Sequence, residues 1–494
     1  MSQNDFEVIV IGSGPGGCAT ASLLQKRGVK TLLIEKNGQL GGKMFSVDKG
    51  GYAYDLFPHG QVPIHGNAFE TIFHELGVYD EYKPALAAED PREVITLAYR
   101  RHDWKEYKVL SQRQAMDNPE PFFRLWEASP EDQAASMVIL GEMIAMDEPT
   151  RLSLSKVTMH DWLIERGQTL TSPLYSYLAF HANASLAEPI DLVSTSEQIL
   201  IMKQMMLQGG GGQYKGGFGH LSTVMGREFE KHGGVLMTAT KVEKILVENG
   251  AVTGVVTDKG TFRAPVVVSS AGLQPTILKM VGEEQFDKSY VNYVKGLIPG
   301  WAFTSIRYFL NKPVMKTGMY VMYSDDSWLN TERYRAIKNG KMPEEVILFM
   351  CNHSFYDENA APPGKQVLVS GTVCTADPNG EEIEHLYKVM DAQIEKYFPE
   401  IWEAIERKEC NGPKEISNLT RESVIPGHGG ECVGLAQIVG QCGPEKPKSE
   451  TPIRGLYIAG ADAGAEGMGT HQSALSGIAV TKMVQEYLLK RRRV

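Results

Sequence analysis

Along this chain, short unbroken apolar runs alternate with segments in which apolar residues recur at helical spacing. Phe6-Glu7-Val8-Ile9-Val10-Ile11 is the first run and predicts a buried parallel strand. An Ala-rich helix is predicted over 19–27, ended by Gly28, and a second strand over 31–34. Phe69, Ile72, Phe73 and Leu76 share one face of a predicted helix within 67–82. Runs at 94–99 and 104–110 predict a hairpin around Arg100-Arg101-His102-Asp103, a basic turn better read as solvated than as substrate-binding. Ser129-Pro130-Glu131-Asp132 has the residues of a helix start, and Thr158 to Asp161 the spacing of a capping box. The block from about 70 to 205 is mostly helical and ends in Met202, Met205 and Met206, which suit core packing better than a channel lining. Gly209 to Gly212 reads as a hinge. Strands follow at 233–237 and 266–272, with a meander from 241 turning at Asn249-Gly250 and Asp258-Lys259-Gly260. Runs at 302–310, 319–323, 346–351 and 366–373 predict an antiparallel sheet, 382–408 a helix, 455–459 a strand and 473–487 a closing helix.

Between the first strand and the Ala-rich helix, Gly12-Ser13-Gly14-Pro15-Gly16-Gly17 contains G-x-G-x-x-G spacing. Gly12 permits a tight turn, Gly14 lets backbone approach a pyrophosphate, and Gly17 lets helix and strand pack closely. The free N–H groups of the helix start would face the phosphates. Glu35, with Lys36 after it, ends the second strand near the spacing of an acid that accepts from a ribose hydroxyl. Strand, glycines, helix, strand and acid together make a dinucleotide site far more specific than the glycines alone.

Composition changes this picture little. The chain has 494 residues, enough for two or three domains, with 42% hydrophobic and 22% charged residues, as in ordinary globular proteins. A net charge of −10 argues against nucleic acid as a partner. No apolar run suits a membrane span, and the start of the sequence has no basic region typical of a signal peptide. Six scattered cysteines without a C-x-x-C pair predict reduced thiols and a cytoplasmic protein. The basic end Lys490-Arg491-Arg492-Arg493 could meet an anionic membrane, but compensation of the last helix dipole is the simpler reading. No metal-spaced cluster and no Ser-His-Asp set is evident.

Gly41-Gly42-Lys43 soon after Glu35 resembles the second glycine motif of flavin oxidoreductases of the flavin amine oxidase and phytoene desaturase superfamily. Gly216-Gly217-Phe218-Gly219-His220-Leu221, Ala361-Pro362-Pro363-Gly364-Lys365 and the end motif Gly460-Ala461-Asp462 extend the resemblance, most closely to phytoene desaturases, over nearly the whole chain. It implies FAD rather than NAD, and an α/β fold. A Rossmann-like FAD-binding domain, discontinuous over 1–70, 207–290 and 421–494, would carry an inserted α+β substrate domain (71–206 and 291–420) made of an antiparallel sheet and a helical cap. It also implies that the segment through Pro58 and His59 passes the isoalloxazine ring and that Val242 contacts adenine. Asp462 would hold the ribityl or pyrophosphate part, with Met468 and Gly469 at the helix aimed at the flavin. Phe57 departs from the family's glycine there, and His471-Gln472 from the residues of carotenoid desaturases.

The function expected is hydride transfer between a substrate C–H and flavin N5, desaturating or saturating a C–C bond of a largely apolar small molecule. His59 and His471 are the candidate proton handlers, and the helix start beside His471 should favour its neutral form. A flavin amine oxidase, which would need an aromatic pair that the sequence does not display, and a non-redox flavin-dependent isomerase are the alternatives. Oxygen, a quinone and NAD(P)H stay open as electron partners, as do the direction of the reaction and the oligomeric state. Cys432, 28 residues before Gly460, suits a loop beside a noncovalently held flavin.

Overall fold

The computed structural model describes residues 5–57, 65–82, 84–86, 89–111, 113, 119–208, 212–214 and 216–492. Pro58, His59, Gly209, Gly210, Gly211 and Arg493 lie outside the described residues. The nucleotide half is a five-stranded, wholly parallel sheet. Its strands are β1 (Val8–Ile11), β2 (Thr31–Ile34), β3 (Val235–Met237), β4 (Val266–Ser269) and β5 (Leu456–Ile458), in the order β5-β4-β1-β2-β3. All four residues of β1, β2 and β4 are buried, as unbroken apolar runs in a two-sided parallel sheet require. Strand order reverses beside β1, so the carboxyl ends of β1 and β4 flank a crevice where open α/β sheets bind ligands.

Three helices cover this sheet: α1 (Pro15–Lys26), α2 (Gly217–Lys231) and α3 (Gly469–Arg492). Their contacts depend on missing side chains. A Cβ on Gly17 would overlap the Gly12 carbonyl oxygen, and one on Gly477 in α3 would lie 2.5 Å from the Gly16 oxygen and 2.8 Å from the Ala19 Cβ. Asp55, at the end of the short strand Tyr52–Asp55, accepts from the Phe218 N–H (3.0 Å), and Ser46 Oγ accepts from the Gly219 N–H (2.8 Å). Together they cap α2, whose start has no cap residue of its own.

The second sheet has seven strands, ordered Ile405–Asn411, Ala302–Leu310, Gln366–Cys374, Leu348–Asn352, Met319–Ser324, Ile95–Arg100 and Lys108–Ser111. The hairpin and the four later runs are therefore one sheet. It is antiparallel except where Met319–Ser324 pairs parallel to Ile95–Arg100, a long-range match that local pattern cannot show. The helix expected over 382–408 ends early: Ile383–Tyr397 and Pro399–Glu403 are helical, but Ile405–Asn411 is an edge strand on Ala302–Leu310. Its charged residues suit a helix and an exposed edge equally, and pairing decides.

Alternation along these strands sorts the two faces. Leu97, Val321 and Phe349 stand in one row across three strands. They face the cap helices, including Pro173–His181 and Thr195–Leu207. The opposite face buries Met322, Leu348 and Met350 against Leu386, Met390 and Ile394 of Ile383–Tyr397. Ser129, Thr158 and Asn67 cap their helices through side-chain bonds to Asp132 N (3.1 Å), Asp161 N (3.1 Å) and Phe69 N (2.8 Å).

The α1–α3 contact yields a stability test. Gly477→Leu should force the helices apart and cost about 1–3 kcal/mol, as overpacking does. Urea denaturation followed by circular dichroism would register it as a lower midpoint at unchanged slope.

Candidate active site

A single cavity of about 500 Å³ runs from the carboxyl ends of β1 and β2, past the start of α3, into the space between the seven-stranded sheet and the cap helices. Of the positions anticipated from sequence, Gly12, Gly14, Pro15, Glu35, Lys36, Gly42, Lys43, Val242, Gly460, Asp462, Met468, Gly469 and His471 line it. Gly16 and Gly17 do not; they are buried in the packing of α1, where a Gly16 Cβ would stand 2.9 Å from the Gly460 nitrogen. Met205 lines the cavity, Met202 is core, and Met206 is exposed.

At the nucleotide end, α1 starts at Gly14-Pro15 with no side-chain cap, so its leading backbone dipoles point into the cavity. Gly42 has a left-handed φ of 56°, and a Cβ there would lie 3.0 Å from the Gly14 Cα. Glu35 is buried and held rigid: Oε2 accepts from Ser13 N–H (2.9 Å) and Ser13 Oγ–H (2.6 Å), and Oε1 from Asn37 N–H (2.8 Å). Lys36 Nζ reaches the Asn418 carbonyl at 3.4 Å.

Behind the start of α3 lies a network of buried charge. Arg421 pairs with Glu431 (2.7 Å) and Asp462 (2.8 Å), and Lys43 Nζ donates to the Val433 carbonyl at 3.1 Å. Burial pushes the Lys43 ammonium down, while Glu431 opposes the shift. For Arg421, burial alone would lower the pKa, but Asp462 and Glu431 outweigh it and the guanidinium is held charged. Asp462 lines the cavity, yet its carboxylate also accepts from Leu273 N–H (2.7 Å) and Leu435 N–H (3.0 Å). It ties three loops together besides facing the ligand space. Burial pushes the Cys432 thiol up to about 12, so it is no nucleophile at neutral pH.

His471 lies in the first turn of α3. Burial pushes it down to about 4, so the ring is neutral. Nε2 meets the Tyr214 hydroxyl at 3.1 Å, and the ring stands edge-on to Phe69 at 5.6 Å. Tyr214 bonds Tyr82, which takes the Asn67 amide N–H; the Asn67 oxygen is committed to its helix cap. Either the Tyr214 hydroxyl or Nε2 can donate in their contact, according to the tautomer of the ring. Arg100 and Arg101 do not line the cavity; Arg101 pairs with Asp103 (2.5 Å) at the exposed turn, whereas Arg100 is largely buried in its pair with Glu345 (2.9 Å) rather than solvated.

Residues 15–482 match the family described as flavin containing amine oxidoreductase. The chain belongs to this family. It is an FAD-dependent oxidoreductase, and the uncapped α1 start, the glycine contacts, Glu35 and the charged Arg421 fit that cofactor's pyrophosphate and ribose. Its relatives include an inactive all-trans-retinol 13,14-reductase of Danio rerio, 24% identical over 347 residues, 64% of this chain and 56% of the relative. This chain thus matches little more than half of that relative. A chloroplastic prolycopene isomerase of Daucus carota is 25% identical over 519 residues, 96% of this chain and 79% of the relative. A neurosporene-forming phytoene desaturase of Cereibacter sphaeroides is 24% identical over 381 residues, 72% of this chain and 70% of the relative. The family resemblance carried by the glycine motifs holds, and none of the described helices is long and apolar enough to cross a membrane.

Sequence reading missed Arg421, Glu431, Ser13 and the partners of His471. Only Ser13 left a signal, as a polar residue between the first two glycines.

Two measurements follow. Glu35→Arg removes the acceptor of both Ser13 donors and should yield protein without bound FAD, read from the absorbance and the nucleotide released by acid. The second is pH dependence. His471, at about 4, and His181, at about 3, both lie below the ordinary 6.5, so the unfolded chain binds more protons. Stability should be full above 6.5 and fall as the pH drops below it, by up to about 1.4 kcal/mol per pH unit for each histidine. Urea midpoints between about pH 6.5 and about pH 5 should fall less steeply when both histidines are replaced by Phe.

Proposed function

We propose that this enzyme moves a hydride between a substrate C–H and flavin N5, desaturating or saturating a C–C bond in a largely apolar small molecule. The observation that carries this reading is the wall of the cavity beyond the flavin end. It is made by Leu97, Val321 and Phe349 below and by Phe122, Phe180 and Met205 above. No carboxylate faces this part among the described residues, so a cationic amine substrate would find no counter-ion. Bound FAD supplies the two-electron chemistry; the protein binds, orients and excludes water.

In this reading the segments 1–70, 207–290 and 421–494 form the FAD-binding domain, and 71–206 with 291–420 the substrate domain. Gly12, Gly14, Pro15 and the α1 start take the pyrophosphate, Glu35 the ribose and Val242 the adenine. Asp462, Met468 and Gly469 take the flavin side with Lys43. His471 handles the substrate proton, its ring held in place by the Tyr214 hydroxyl. The name of one relative, a neurosporene-forming phytoene desaturase, supports C–C chemistry. The cytoplasm remains the proposed compartment.

Anaerobic titration tests the reading. A desaturated product should accompany loss of the oxidised flavin absorbance when a saturated substrate is added, or the photoreduced enzyme should be reoxidised by the alkene. His471→Ala should slow that step by about 10²–10⁴-fold while FAD stays bound. Flavin reduction by primary amines with release of aldehyde would sink the proposal.

A further inference from the structure

One polar cluster in the apolar part of the cavity has no role in the reading above. Tyr177, His181 and Ser185 line it and all come from one stretch of chain, the helix Pro173–His181 and its continuation Ala182–Leu186. That continuation is wound as a π-turn and ends on Ala187, a non-glycine residue at a left-handed φ of 55°. Wide turns of this kind recur at functional sites, and a strained, buried alanine needs a compensating reason.

His181 is 8% exposed, and the exposed part belongs to the cavity. Nδ1 meets Ser185 Oγ at 3.3 Å. The ring is held edge-on by Tyr177 at 4.5 Å and by Phe180 at 4.7 Å. Nε2 has no protein partner among the described residues, and neither has the Tyr177 hydroxyl. Burial keeps the imidazole neutral, pushing it down to about 3. A neutral imidazole can give or take one hydrogen bond at Nε2, according to its tautomer, and Ser185 can serve either tautomer at Nδ1. Nowhere else in this apolar part does a lining residue of the described chain offer a polar side chain. Leaving such groups unpaired costs stability unless a ligand satisfies them.

We infer that Tyr177, His181 and Ser185 form a substrate subsite that binds one uncharged oxygen, a hydroxyl or a carbonyl, at the end of an otherwise apolar molecule. A carboxylate is disfavoured, because no cation stands among the lining residues there to pair with it. This subsite rests on the apolar-substrate reading proposed above and narrows it to an otherwise apolar alcohol, aldehyde or ketone.

The test is binding to the FAD-loaded enzyme, with farnesol and farnesene as probes of equal skeleton, read as perturbation of the flavin absorbance spectrum. Farnesol should bind about tenfold more tightly than farnesene or better, the effect of one satisfied buried hydrogen bond. His181→Phe should remove that preference by weakening farnesol alone, and Ser185→Ala should reduce it; FAD content of each variant reports whether it has folded. Equal binding of both probes to the wild type, or a preference unchanged in both folded variants, would overturn the subsite and leave the apolar-substrate reading standing. Failure of both probes to bind would instead count against that reading, and the subsite would fall with it.

Discussion

Everything in this molecule hangs on a junction where backbone touches backbone. At Gly12 and Gly17 the turn out of β1 has no side chain to separate helix from strand, so α1 lies against its own strand. The end of β5 reaches Gly16, and α3 lies against α1 at Gly477. Each contact would be blocked by a single Cβ. With them, the chain ends that supply β1 and β5 share one sheet, and the start of α1 and the start of α3 open onto one cavity. The second sheet and the cap need only close the remaining side.

That junction also sets the electrostatics. Two helix starts pointing into one space make it favourable for anions, and the cations Arg421 and Lys43 add to this. Isolated, such buried charges would be costly, but Arg421 is matched by Glu431 and Asp462 at ion-pair distance. Because Asp462 also takes N–H groups from Leu273 and Leu435, the charge network doubles as a splice between loops far apart in sequence. The bonds that hold this charge beside the cavity and the bonds that order the loops are thus one set.

How much of this could be read from the sequence follows from the range of the interactions. The β1–α1–β2 unit, Glu35 and the strands at 302–310 and 366–373 are set by local periodicity and local glycines, and they stand where expected. The C-terminal motif was legible because its glycines and acid sit next to an apolar strand. Pairing was not legible: the parallel join of Ile95–Arg100 to Met319–Ser324 and the edge strand Ile405–Asn411 both rest on partners remote in sequence. Arg421 lies in a segment without periodicity, and the environment of His471 comes from Tyr214 and Phe69, neither near it in the chain. The neutral form of that histidine is expected from its place at a helix start; burial, which a sequence does not show, drives it too.

The order in which the walls of the cavity occur along the chain has a consequence for how the enzyme is made. β1, β2 and α1 are translated first, yet β5 and the start of α3, which close the flavin end, come after every other lining segment. A nascent chain therefore holds an unfinished sheet with an open edge on β4 from the time β4 is made until β5 emerges, and the long separation of β4 from β5 favours slow closure. Until that last strand docks, the cavity lacks the wall made by Gly460, Asp462 and the start of α3, so a complete cofactor site is a late product of synthesis.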